Sequence, residues 1–336
     1  MTMSKSIDTY EKMLKNAWST TWHHKYWWFL GALAGLASTG AVFNNVFKVF
    51  IRLQPAENIT VDTLENIFPA LSWLTAYARN LVLLDSAKLQ IYIVISIVFV
   101  VIAVAIILTA QHLLVGAAGA GAKNHPTEQI KKLFGKVHHI HLLRLFAVDA
   151  LAVISTTILM SLGALAITLL LGDSYFINLF AYAGVNVIVL PIAFLINIIL
   201  MMMIIHIVRH EDSIGIAFRE AFLLVKNHWL VALEYALLIF AINFITSILL
   251  LIALLLIAGL TGLLFQAMLA AGSFVLMSFA TFLGTIIAAI VFVAFAGALT
   301  MFNYVAWVEL AGRLKRFGHV PALEHGFQQV ARIFNK

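Results

Sequence analysis

Three carboxylates interrupt otherwise apolar stretches of this chain: Asp149, Glu234 and Glu309. A charge entering a long apolar run is costly and needs a cation, a hydrogen-bond donor or water beside it. Arg144 stands five residues before Asp149, a poor spacing for a pair along one helix. Arg144, Asp149, Glu234 and Glu309 together form a candidate polar cluster. Such a cluster either fixes helix packing or holds a cation, a proton or a headgroup amine. A second set is basic. Lys131, Lys132, Lys136, His138, His139, His141, Arg209, His210, Lys226 and His228 all border apolar runs. They are candidates for contacts with anionic lipid headgroups, the histidines when protonated.

The histidines raise a metal question. His206 and His210 are four apart, followed by Glu211, and His138 and His141 are three apart. Both spacings place two imidazoles on one helical face. No HExxH pattern accompanies them, so no metal site is assigned. The run Gly116 to Ala122 is rich in glycine, but it lacks the lysine and hydroxyl of a phosphate-cradling loop. No cofactor is expected. Cysteine is absent, which excludes disulfides, thiolate metal sites and a cysteine nucleophile.

The elements that must position these residues are set by composition. The chain has 336 residues, 63% apolar and only 11% charged, with mean hydropathy +1.01. Soluble domains carry about 25% charged residues, so an ordinary soluble enzyme is excluded. A helix crossing the ~30 Å hydrocarbon core needs roughly 20 mostly apolar residues. Six segments meet this: Trp27 to Phe47, Ile91 to Leu114, Leu142 to Leu171, Phe176 to Val208, Trp229 to Leu260 and Leu269 to Val308. The last four exceed the minimum, which implies tilt or protruding ends. Pro191 predicts a kink in the fourth. No cleavable leader is evident, so the first span is expected to remain as an anchor.

Charge orients the spans. Placing both termini on one side puts seventeen of the 21 lysines and arginines there. Only Lys48, Arg52, Arg79 and Lys88 fall opposite. The positive-inside rule makes the richer side cytoplasmic. All twelve histidines also fall on it, as do six of the seven tryptophans, an aromatic belt. The 1–336 chain thus reads as a single integral domain, with an outer loop at 48–90 that carries a short helical pattern.

A repeated unit organises the bundle: a basic amphipathic stretch, then an apolar hairpin. The stretches are Tyr10 to Tyr26, Thr127 to His141 and Ser213 to His228; a C-terminal one, within 319–336, closes the chain. Apolar residues recur every three or four positions in each, as in Ile214, Phe218, Ala221, Phe222 and Val225. Basic helices of this kind lie in the membrane interface and act as elbows between hairpins. Register repeats as well. "YWWFLG" from Tyr26, "RLFAVD" from Arg144 and "WLVALE" from Trp229 begin spans one, three and five, and the last two end in a carboxylate. The expected fold is all-α, a polytopic membrane bundle of six transmembrane helices in three hairpins, each preceded by an interfacial helix. Small-residue runs, including Ala294 to Leu299, allow close helix approach.

The segments Asn16 to Leu36 and Ile214 to Leu233 resemble the elbow-and-span segments of a broad prokaryotic group. That group is the membrane domain associated with glycerophosphoryl diester phosphodiesterases, with related uncharacterised six-span proteins. The resemblance implies a fold and a location. The phosphodiesterase activity of that family resides in a separate soluble barrel, for which this chain has no segment, so the resemblance does not imply hydrolysis. The leading expectation is a non-enzymatic protein of the plasma (inner) membrane that organises lipid or envelope partners through anionic headgroup contacts. A small-solute transporter or channel is the alternative, and a lipid-headgroup enzyme the third. Anionic membrane lipids are the expected partners and nucleic acid is not. No protein partner is specified, and homo-oligomerisation is left open.

Overall fold

The computed structural model describes residues 3–36, 86–120, 135, 137, 139–170 and 175–317. Among these the chain is helical apart from short turns, without strands. We number the helices α1 (Met3–His23), α2 (Trp27–Ala34), α3 (Ser86–Ala120), α4 (His139–Leu170), α5 (Tyr175–His210), α6 (Ile214–Asn227), α7 (Trp229–Ala270) and α8 (Phe274–Phe317). Five of them, α3, α4, α5, α7 and α8, are long and apolar enough to cross a membrane. Of the expected first span, Trp27 to Leu36 is described and begins as α2; the remainder lies outside the described residues. The same holds for the outer loop up to Asp85, for residues 319–336, and for most of Thr127 to His141.

Several boundaries differ from the sequence reading. Helix α7 runs on to Ala270 rather than Leu260, so Leu269 lies at its end instead of opening the last span, and α8 begins at Phe274 and continues past Val308 to Phe317. Helix α3 begins at Ser86 rather than Ile91, so the end of the outer loop is already helical. Helix α4 begins at His139, which places His139, Ile140 and His141 in the spanning helix rather than in an elbow. Helix α5, with Pro191 inside it as the fourth span required, ends at His210 rather than Val208. Hydropathy alone misses such starts because a helix extends past its apolar part wherever its backbone bonds can continue.

Packing is concentrated at one end. Leu200 to Ile207 of α5 are buried without a break. A helix apolar on every side belongs in the middle of a bundle, and α5 occupies that place here. Around it stand Leu108, Leu114 and Val115 of α3, Leu145, Val148 and Ala152 of α4, Val231, Tyr235 and Ile239 of α7 and Met301, Val305 and Leu310 of α8. Three consecutive methionines, Met201, Met202 and Met203, fill the gaps with unbranched, adaptable side chains. The opposite halves of α7 and α8 are bare: Leu249, Leu255, Leu263, Phe279 and Phe282 are exposed. No charged residue occurs between Glu234 and Glu309. At about 1.5 Å per residue the 42-residue α7 is about 63 Å long.

Glycine permits the close crossing of α2 and α8. A methyl group on Gly31 of α2 would collide with the Gly297 carbonyl of α8, and one on Gly297 would collide with the Trp28 carbonyl. The small run Ala294 to Leu299 thus lets two backbones touch.

The N-terminal elbow forms as a helix, but its faces divide differently from the simple apolar stripe. Met13, Ala17 and Thr21 are buried, spaced four apart. Tyr10 and Leu14 pack partly against the core, whereas Trp18 and Trp22 are about half exposed. Trp18 and Trp22 stack at 5.7 Å, and Lys25 sits 4.7 Å above the Trp22 ring. The Trp28 indole donates to Thr21 O at 3.0 Å and ties α2 back to α1. Beside this belt, burial and the adjacent His23 push the His24 imidazole below its ordinary value.

Helix α6 repeats that division. Ala217, Ala221 and Val225 are buried, while Ile214, Phe218 and Phe222 are exposed. Phe218 and Phe222 stack at 6.1 Å. Small residues let α6 lie close along α5. Its large apolar side chains face outward, where a lipid interface rather than water would accept them. The chain breaks on both sides of α6, at Glu211 to Ser213 and at His228, so it extends neither α5 nor α7.

Candidate functional site

The turn between α5 and α6 is held from α4. Glu211 has φ 59°, a left-handed conformation that ends α5. The Arg144 guanidinium donates to Glu211 O at 2.9 Å and to Asp212 O at 3.1 Å. A cation at a helix C-terminus satisfies carbonyls that the helix leaves open and complements its dipole. His206 and Asp212 close the same turn at 3.2 Å.

Behind this turn lies a cavity of about 890 Å³ between α5, α6 and α8. Its cations are Arg209 at the end of α5 and Arg313 and Lys315 at the end of α8. Its carboxylates are Glu220 and Glu309. His206, His210 and His228 complete the polar wall. Glu309 and Arg313, one helical turn apart, approach at 3.7 Å. The Lys315 ammonium lies 3.2 Å from His210 Nε2. An ammonium can only donate, so His210 accepts at Nε2 and carries its own proton at Nδ1. His228 Nδ1 is buried and has no hydrogen-bond partner among the described residues.

Five of the residues singled out in the sequence therefore meet here: His206, Arg209, His210, His228 and Glu309. The other candidates are dispersed. Arg144 serves the α5–α6 turn. Glu234 of α7 accepts a hydrogen bond from Tyr10 of α1 at 3.0 Å, with Tyr10 and Tyr235 rings 6.0 Å apart. Asp149 of α4 lies 3.5 Å from Gln111 Nε2 of α3, which also donates to the Tyr304 hydroxyl of α8 at 3.0 Å. Equal register thus gives Asp149 and Glu234 different neighbours, because α1 covers one repeat and α3 the other. His139 and Lys226 are exposed, and the His141 ring lies 6.0 Å from that of His112. Lys131, Lys132, Lys136 and His138 lie outside the described residues.

The His206–His210 pair has rings 5.1 Å apart in a T-shaped arrangement. Both imidazoles are bonded elsewhere, to Asp212 and Lys315. Among the described residues no group of three histidine, aspartate or glutamate side chains is arranged to hold a metal ion.

Two groups of residues escaped the sequence reading. Arg313 and Lys315 counted only toward charge orientation. Glu309 followed four residues later by Arg313 was the signal that could have placed them in a site. Gln111 and Tyr304 were not singled out either. The pair Gln111-His112 inside an uninterrupted apolar run was the available signal for the first.

No family model matches the chain, and no curated protein or solved structure matches it.

Proposed function

We propose that the chain is a six-span protein of the plasma membrane with both termini cytoplasmic, and that it holds anionic phospholipid headgroups in the cavity between α5, α6 and α8. Its role on this reading is to organise lipid or envelope partners, without catalysis. The observation that carries it is the convergence of Arg209, Arg313 and Lys315 on one cavity with three imidazoles. Cations outnumber carboxylates there, three to two. Guanidinium groups match phosphate oxygens in a fixed fork geometry. The cavity falls within the range of about 300–1,000 Å³ usual for small-ligand sites. Helix α6, with Phe218 and Phe222 outward, would lie in the interface and keep the cavity at headgroup depth. The 17-to-4 charge bias supports the orientation, and six apolar segments of spanning length support the number of spans.

Native mass spectrometry of protein extracted from vesicles of phosphatidylglycerol and phosphatidylcholine tests it. The wild type should retain phosphatidylglycerol, and Arg209→Gln/Lys315→Gln should retain at most about one tenth as much, with phosphatidylcholine unaffected. Equal retention of the anionic lipid by the two proteins would defeat the reading. The buried amide, carboxylate and phenol of Gln111, Asp149 and Tyr304 favour a second reading, a small-solute transporter, since polar groups within spans mark transport paths.

A further inference from the structure

Gln111, Asp149 and Tyr304 come from three helices and are 0%, 9% and 2% exposed. One terminal atom of the Gln111 amide lies 3.0 Å from the Tyr304 hydroxyl and 3.5 Å from Asp149 Oδ1. In the orientation observed, that atom is Nε2. The other terminal atom, Oε1, is fully buried and has no hydrogen-bond partner among the described residues. Turning the amide by half a revolution exchanges the two atoms. The turn breaks no bond at the far end, because Oε1 makes none there. It brings a carbonyl oxygen between a carboxylate and a phenol.

We propose that these three side chains form a site for one monovalent cation of sodium's size. Ligand type is the first argument: carboxylate, amide carbonyl and hydroxyl are the hard oxygen donors that alkali and alkaline-earth ions take. Spacing is the second. Oxygens about 2.4 Å from an ion and at right angles to each other lie about 3.4 Å apart, and the two separations from the Gln111 atom are 3.0 and 3.5 Å. Charge is the third. One carboxylate in a low-dielectric interior balances one positive charge, whereas a divalent ion would leave a buried excess. The ion would tie α3, α4 and α8 together at the packed end of the bundle. None of its three ligands lines the cavity between α5, α6 and α8, so this site stands or falls apart from headgroup binding.

The test is thermal unfolding of the full chain in nonionic detergent, with sodium chloride replacing N-methylglucamine chloride at constant ionic strength. The midpoint should rise by several degrees and saturate with sodium. Tyr304→Phe, which removes one ligand oxygen and keeps the ring, should raise the half-saturating sodium concentration about tenfold. Asp149→Asn should abolish the response. A flat sodium titration of the native protein would overturn the proposal, even if both variants fail to fold. So would an equal response to N-methylglucamine, which signals a general salt effect. A midpoint that follows pH but not sodium would assign the site to a proton instead and overturn it as well.

Discussion

Replacing Gly31 by alanine should break the close crossing of α2 and α8. A carbon and a carbonyl oxygen rest about 3.3–3.6 Å apart, and a methyl on Gly31 falls roughly 1 Å short of that against Gly297 O. The obstruction is backbone on both helices, so no side-chain rotation relieves it. Helix α2 must move away from α8. A gap of about 0.5–1 Å forfeits a quarter to a half of each contact along the seam. Overpacking of this kind costs about 1–3 kcal/mol, and the rigid obstacle puts Gly31→Ala at the upper end, about 3 kcal/mol. Gly262 of α7 is the matched control, because a methyl there meets nothing. Gly262→Ala should gain roughly 0.5–1 kcal/mol of helix preference. The two substitutions therefore differ in sign and by about 3–4 kcal/mol. Unfolding in detergent followed by tryptophan fluorescence reads the difference directly, since Trp27 and Trp28 flank the crossing. If Gly31→Ala proves as stable as Gly262→Ala, the backbone contact between α2 and α8 does not exist as described.

Tyr10→Phe removes the hydrogen bond to Glu234 and keeps the ring against Tyr235. It should cost about 1–2 kcal/mol and speed hydrogen exchange along α1; unchanged exchange would show that α1 is held by its apolar face alone. A single cysteine placed at Asn58, in a chain that has none, should react with an impermeant maleimide from the outer side only. Labelling from the cytoplasmic side alone would invert the proposed topology.

Apolar length made the long helices legible, because nothing but a membrane or a bundle core accepts so many apolar residues in sequence. Helix α6 was legible from its period, with apolar residues every three or four positions. What the period could not separate was Ala217 and Ala221 from Phe218 and Phe222. All four count as apolar, yet size sends the small pair against α5 and the large pair outward. The same sorting divides Ala17 from Trp18 in α1. The site was legible only as separate charges. Arg209 and His210 stood out locally, but their meeting with Arg313 and Lys315 depends on how α5 crosses α8, more than a hundred residues later in the chain. The Gln111–Tyr304 bond, between residues 193 apart, was invisible for the same reason.

The length of the α7–α8 hairpin has a mechanical consequence. Its charge-free part of α7, from Tyr235 to Ala270, measures about 54 Å at 1.5 Å per residue. A bilayer with its headgroup layers is about 40–45 Å thick, so an α7 that crosses a membrane would have to lean by roughly 35–40° to stay immersed, toward the upper limit for membrane helices. One end of the hairpin packs against α2, α3 and α5, and among the described residues the other touches little but its own partner helix. In a membrane such a hairpin would act as a lever: hydrophobic mismatch would set its angle, with a thinner bilayer pressing it flatter and a thicker one letting it stand. A change of angle would reach the packed end, where Glu309, Arg313 and Lys315 of α8 line the cavity.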